Sequence, residues 1–130
     1  MKIGEAARRS GLPTKTIRFY EQIGLIGGRG REANGYRVYD TADVHRLRFV
    51  ARARALGFSV EQCRELLALY ADRDRASADV KALALAHVDQ IDGRIAELRA
   101  MKVTLLGLAE RCHGDERPDC PILEELAADR

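Results

Sequence analysis

The chain has 130 residues, enough for about one domain, with 46% hydrophobic and 32% charged residues, the balance of a soluble helical protein. No apolar run approaches the ~20 residues that span a bilayer, no apolar leader core follows the first residues, and three cysteines make an odd number for a disulfide framework; a cytoplasmic protein with reduced thiols and no membrane partner is predicted. The net charge of +2 hides an asymmetry: residues 1–57 hold 12 Lys/Arg against 5 Asp/Glu and residues 58–130 hold 10 against 15, so the first part either meets a polyanion or presents a solvated basic face.

Ile3 to Arg9 reads as a short helix with Ile3, Ala6 and Ala7 inward. Ser10-Gly11-Leu12-Pro13 breaks it, and Thr14 is expected to cap a second helix that buries Ile17 and either Phe19 or Tyr20, followed by Leu25. Two short helices around a Gly-containing turn form a helix-turn-helix candidate. In that motif the start of the second helix enters the major groove, and here that start is Thr14-Lys15-Thr16-Ile17-Arg18, polar and basic. Residues 27–35 are too rich in glycine for regular helix. Asn34-Gly35 then predicts a turn into a short strand, Tyr36 to Tyr39, forming a small basic wing.

Asp40 or Thr41 is expected to cap a longer helix with Val44, Leu47, Val50 and Ala51 on one face, ending at Leu56-Gly57. Ser59 and Gln62 have capping-box spacing for a further helix with Val60, Cys63, Leu66, Leu67 and Tyr70 as its apolar stripe. Cys63 therefore reads as a small buried hydrophobe. After a charged linker, Asp72 to Ala76, a long helix runs to about Leu108. Ala84, Val88, Ile91, Ile95, Leu98 and Leu105 mark a heptad seam on it, which asks for a partner helix, most simply a second copy of the same chain. Cys112 and Cys120 then flank a polar loop. Pro121 suits the first turn of a last short helix, whose Ile122, Leu123 and Leu126 are expected to close the loop from outside.

Ile3-Gly4-Glu5-Ala6-Ala7, Thr16 to Leu25 (TIRFYEQIGL), Asn34 to Tyr39 (NGYRVY) and Leu56-Gly57-Phe58-Ser59 together resemble the MerR family of bacterial transcription activators, in the right order along the whole chain. Ser77 to Lys81 opening the long helix, with Cys-x7-Cys after it, resembles the copper-efflux regulator branch. The resemblance implies a mainly α fold. A winged helix-turn-helix DNA-binding head (residues 1–70) would be followed by a long antiparallel coiled-coil dimerisation helix (77–108) and a metal-binding loop with a short C-terminal helix (109–130). It also implies a homodimer on double-stranded promoter DNA that acts on RNA polymerase through the promoter, bending and untwisting an overlong spacer when the effector is bound.

Carried onto matching positions, the DNA-binding residues are Thr14, Lys15, Arg18 and Tyr20 on the recognition helix, Arg31, Tyr36 and Arg37 in the wing, and Arg54 on the next helix. Lys15 and Arg18 are the expected base-edge contacts; Arg31, Tyr36, Arg37 and Arg54 are the expected phosphate contacts. Packing between wing and helix is the alternative for Tyr20 and Tyr36, and a solvated charge is the alternative for Arg54.

For the metal, Cys112 and Cys120 are the soft donors, and thiolates favour Cu(I), zinc and similar ions. A zinc site normally takes four ligands, for which His113, Asp115, Glu116 and Asp119 stand nearby in sequence. A monovalent ion, Cu(I), Ag(I) or Au(I), is satisfied by two thiolates, one ion per loop. The resemblance adds that a serine at position 77 goes with monovalent sensing, although Ser77 can equally be a helix cap. Two thiolates with one monovalent cation leave a charge of −1, for which Lys81 or the start of the last helix is the candidate compensation. His113 and Pro118 are expected to shape the loop. A divalent sensor of the same family, a carrier that does not regulate DNA, and a reversible Cys112–Cys120 disulfide remain as alternatives. No constellation for catalysis stands out.

Overall fold

The computed structural model describes residues 1–27 and 38–129. The predicted wing, with Arg31, Tyr36 and Arg37, lies outside the described residues. Val38 and Tyr39, the end of the expected strand, have irregular backbone, and the described residues contain helices and no strand. The chain divides into two compact units, Met1–Val80 and Lys81–Arg130.

The first unit is built on α1 (Ile3–Ser10), α2 (Thr14–Gln22), α3 (Thr41–Ala55) and α4 (Val60–Ala71). Helix α1 packs on α2 and α3, and α3 packs on α4. Gly11, at φ 79°, ends α1 in the left-handed conformation, and its N–H reaches the Ala7 carbonyl at 2.9 Å. Pro13, not Thr14, is the N-cap of α2: its extended backbone turns the chain into the helix, and Thr14 is the first helical residue, with no side-chain cap. Ile17 and Tyr20 face the core, while Phe19 is 49% exposed. Gly24, at φ 74°, reverses the chain after α2 and lets Leu25 N–H reach the Tyr20 carbonyl at 2.9 Å, which buries Leu25 and Ile26.

Helix α3 opens with Asp40 as N-cap in a reciprocal capping box: Asp43 N–H donates to Asp40 at 2.8 Å and Asp40 N–H donates to Asp43 at 3.0 Å. Val44, Leu47, Val50 and Ala53 make its buried face. The Ser59–Gln62 capping box forms as its spacing predicts, with Gln62 N–H donating to Ser59 at 3.1 Å and Ser59 N–H to Gln62 at 2.8 Å. Cys63 is wholly buried, and desolvation pushes its thiol pKa up against the opposing charge of Arg54. It is a core residue, as its place in the stripe indicates.

Helix α5 (Ser77–Arg111) has 35 residues, so at 1.5 Å per residue it is about 50 Å long. It begins in the first unit and supplies most of the second. Val88, Ile91, Ile95, Leu98 and Leu105, the seam residues, are exposed in the single chain, as are Leu85, Met101 and Leu106. Helix α6 (Pro121–Leu126) starts on Pro121 with Cys120 as N-cap. Of the three residues expected to close the loop, Leu123 and Leu126 are exposed and Ile122 is half-buried, so closure by all three is not borne out in the single chain.

Candidate nucleic-acid interface and metal centre

The exposed face of α2 comprises Lys15, Arg18, Phe19 and Gln22, which recur at i, i+3, i+4 and i+7 and so stand on one stripe. Thr14 is half-buried at its start. Ile17 and Tyr20 form the opposite, buried stripe. Tyr20 is only 5% exposed, so its assignment as a DNA contact is corrected: the ring belongs to the core, 6.0 Å from that of Phe19. Residues 15, 18, 19 and 22 therefore present two cations, an aromatic ring and an amide to one side. The sequence offered Phe19 only as an alternative core residue and did not single out Gln22; the helical period that joins them to Lys15 and Arg18 would have found them once Tyr20 was assigned inward.

Tyr39 is buried, and its hydroxyl hydrogen bonds to the Glu21 carboxylate, tying the entry to α3 onto the end of α2. Its backbone N–H donates to the Met1 carbonyl at 2.7 Å. Several arginines of this unit serve helix ends. Arg48 Nε donates to the Arg9 carbonyl of α1 at 2.6 Å. Arg54 Nη1 donates to the Phe58 carbonyl at 2.9 Å, just after α3. Arg75 Nη1 reaches the Tyr70 and Asp72 carbonyls at 3.1 and 3.0 Å, at the end of α4. Arg48 and Arg75 thereby place positive charge on the carbonyl ends of α1 and α4, while Arg54 holds the turn between α3 and α4. Part of the basic excess of residues 1–57 thus serves the fold. Arg54 is exposed and uses one of its five donors on Phe58, which leaves the others for a phosphate.

In the second unit, Cys112 follows the last turn of α5, with its N–H on the Ala109 carbonyl at 3.1 Å. Cys120 caps α6, and its carbonyl accepts from Glu124 N–H at 3.0 Å. Both cysteines are free thiols and half-buried, whereas every residue from 113 to 119 is exposed. The loop therefore withdraws its two soft donors from water and leaves His113, Glu116, Pro118 and Asp119 outside. Asp115 is engaged within the loop: it accepts from Arg117 N–H at 2.9 Å and from Arg117 Nε at 2.8 Å. Gly114 adopts φ 68° in this turn. Among the described residues no group of three or more His, Cys, Asp or Glu gathers for a metal ion. Two thiols fit a soft ion of low coordination number and fit a four-ligand zinc site poorly. Ser77 is exposed at the first position of α5, and Lys81 is exposed one turn later. No described helix is long and apolar enough to cross a membrane.

Residues 1–69 match the profile described as "MerR HTH family regulatory protein" and residues 44–108 match "MerR, DNA binding". The HTH-type transcriptional regulator HmrR of Rhizobium leguminosarum bv. viciae is 61% identical over 127 residues, covering 98% of this chain and 98% of its own. The HTH-type transcriptional regulator CueR of Yersinia pestis is 46% identical over 127 residues, covering 98% of this chain and 91% of its own. Among solved structures, the transcription regulator PbrR691 from Ralstonia metallidurans CH34, in complex with lead(II), superposes with a TM-score of 0.81 at 34% identity, covering 98% of this chain and 99% of its own.

Proposed function

This chain belongs to the MerR family of helix-turn-helix transcriptional regulators, and from that membership we propose that it is a metal-responsive activator whose effector is a monovalent coinage metal ion, Cu(I), Ag(I) or Au(I), one per loop. It binds promoter DNA as a homodimer and acts on RNA polymerase through that DNA. The regulated genes are those of metal efflux or resistance.

The observation that carries the metal reading is the withdrawal of Cys112 and Cys120, alone among residues 111–120, from full exposure. These two thiolates would hold the ion, which supplies a soft, linear acceptor when bound. The kinship to a CueR supports copper, and Ser77, where a third thiol is absent, supports a two-ligand site. Lys81 is the candidate for offsetting the residual negative charge. His113 and Pro118 shape the loop that brings the thiols together. At the other end of the chain, Lys15 and Arg18 read base edges, while Arg31, Tyr36, Arg37 and Arg54 hold phosphates.

Burying a charged site in the loop changes which contacts α5 and α6 favour, and the dimer transfers that difference to the promoter as bending and untwisting. A divalent effector is the second reading, favoured by the lead(II) held in PbrR691. The test is a competition titration of the reduced protein with Cu(I) and Zn(II), read as stoichiometry and in-vitro transcription together. Activation by Cu(I) at one ion per loop is expected; activation by zinc at low free concentration with none by Cu(I) overturns the monovalent reading.

A further inference from the structure

Helix α2 carries no basic residue in its last turn, so nothing on the helix itself offsets the negative end of its dipole. The offset comes from α4, 40 residues away. Arg64 Nη1 donates to the Gly24 carbonyl at 3.2 Å and Nη2 donates to the Ile23 carbonyl at 3.0 Å. A planar guanidinium fork thus closes on two consecutive carbonyls, a geometry that lysine cannot reproduce. Glu61, one turn earlier on α4, is exposed and lies 3.6 Å from Arg64 Nε, a loose ion pair beside the fork. The left-handed turn at Gly24 presents the carbonyls, and a Cβ built there lies 3.9 Å from Nη1.

We infer that Arg64 is a positioning residue for sequence reading: it ties the C-terminal end of the recognition helix to α4 and thereby sets the angle at which the Lys15–Arg18 face meets DNA. The inference rests on the reading that α2 enters the major groove. Nine residues make α2 about 13 Å long, so a tilt of about 5° at its C-terminal end moves the Thr14 end by about 1 Å. Bidentate base contacts fail at that displacement, because hydrogen-bond geometry is steep. Attraction to phosphates is long-ranged and hardly notices it. Loss of Arg64 therefore weakens specific binding and leaves non-specific binding intact, a pattern that simple destabilisation does not produce.

The experiment uses the full chain. The wild type first selects duplexes from a randomised pool. Arg64→Met and Arg64→Lys are then titrated by fluorescence anisotropy against the selected duplex and against a random-sequence duplex of equal length. For Arg64→Met we expect about a tenfold loss on the selected duplex and less than a twofold change on the random one. For Arg64→Lys, which keeps the charge and loses the fork, about a threefold loss of the ratio is expected. If Arg64→Met does not fold, Arg64→Lys decides alone. An unchanged ratio, or equal losses on both duplexes, overturns the role of Arg64. A wild type that selects no sequence instead overturns the groove reading beneath it.

Discussion

Replacing Arg18 by alanine tests the α2 face most directly. Arg18 is exposed in the middle of the Lys15–Gln22 stripe, so its removal leaves the core untouched and changes stability by less than about 0.5 kcal/mol. A bidentate arginine–base contact discriminates by about 1–3 kcal/mol, and a dimer presents Arg18 twice. The expected loss is therefore about 2–6 kcal/mol, at least about 30-fold in Kd. If Arg18 holds a phosphate instead, the slope of log Kd against log salt falls by about two for the dimer. Anisotropy titrations from about 50 to 200 mM salt separate the two cases. An unchanged Kd at every salt concentration, with metal binding intact, would refute the assignment of α2 as the reading helix.

Three further outcomes are expected. Ile91→Asp puts a carboxylate into the α5 seam twice per dimer; at about 3 kcal/mol for each unpaired buried charge, about 6 kcal/mol in all, the dimer should weaken on the order of ten-thousandfold, and an unchanged sedimentation coefficient at micromolar concentration would contradict it. Cys120→Ser should abolish the transcriptional response to Cu(I) while operator affinity of the metal-free protein stays within twofold; a retained response would remove Cys120 from the metal site. Cys63, with its raised pKa, stays protonated in the folded state where an unfolded thiol ionises, above about pH 8.5. The folded state then binds more protons than the unfolded one, so stability falls as pH rises through that range. Cys63→Ala should flatten this fall in urea titrations. The same burial should leave Cys63 the last thiol alkylated at neutral pH; alkylation as fast as that of Cys112 and Cys120 would contradict the burial.

Signals confined to a few neighbouring residues were legible in the chain itself. The cap at Asp40, the Ser59–Gln62 capping box and the glycine end of α1 follow from interactions spanning three or four positions, and the long run of α5 and the two thiols flanking one loop from residue order. The family resemblance rests on the same short stretches. Misassignments came where one position could serve two roles. Thr14 has the chemistry of a cap, yet Pro13 holds that place because its fixed φ and extended ψ already turn the chain into the helix. Tyr20 could face groove or core, and the neighbouring Phe19 offered the same choice; packing of α2 on α1 turned Tyr20 inward and Phe19 outward.

Charge was the least readable property. Counting arginines points to a polyanion, but it does not separate those that meet DNA from those that cap helices. Arg48 reaches a carbonyl 39 residues away and Arg64 reaches two across 40 and 41, distances over which no local pattern persists. Local capping chemistry and the period of the apolar residues thus determined the helices and the seam from residue order alone, and the thiol pair was explicit in it. Which side chains are spent inside the head, and which remain for DNA, was decided only by the tertiary packing, because burial and long-range hydrogen bonds exist only once α1 to α4 have come together.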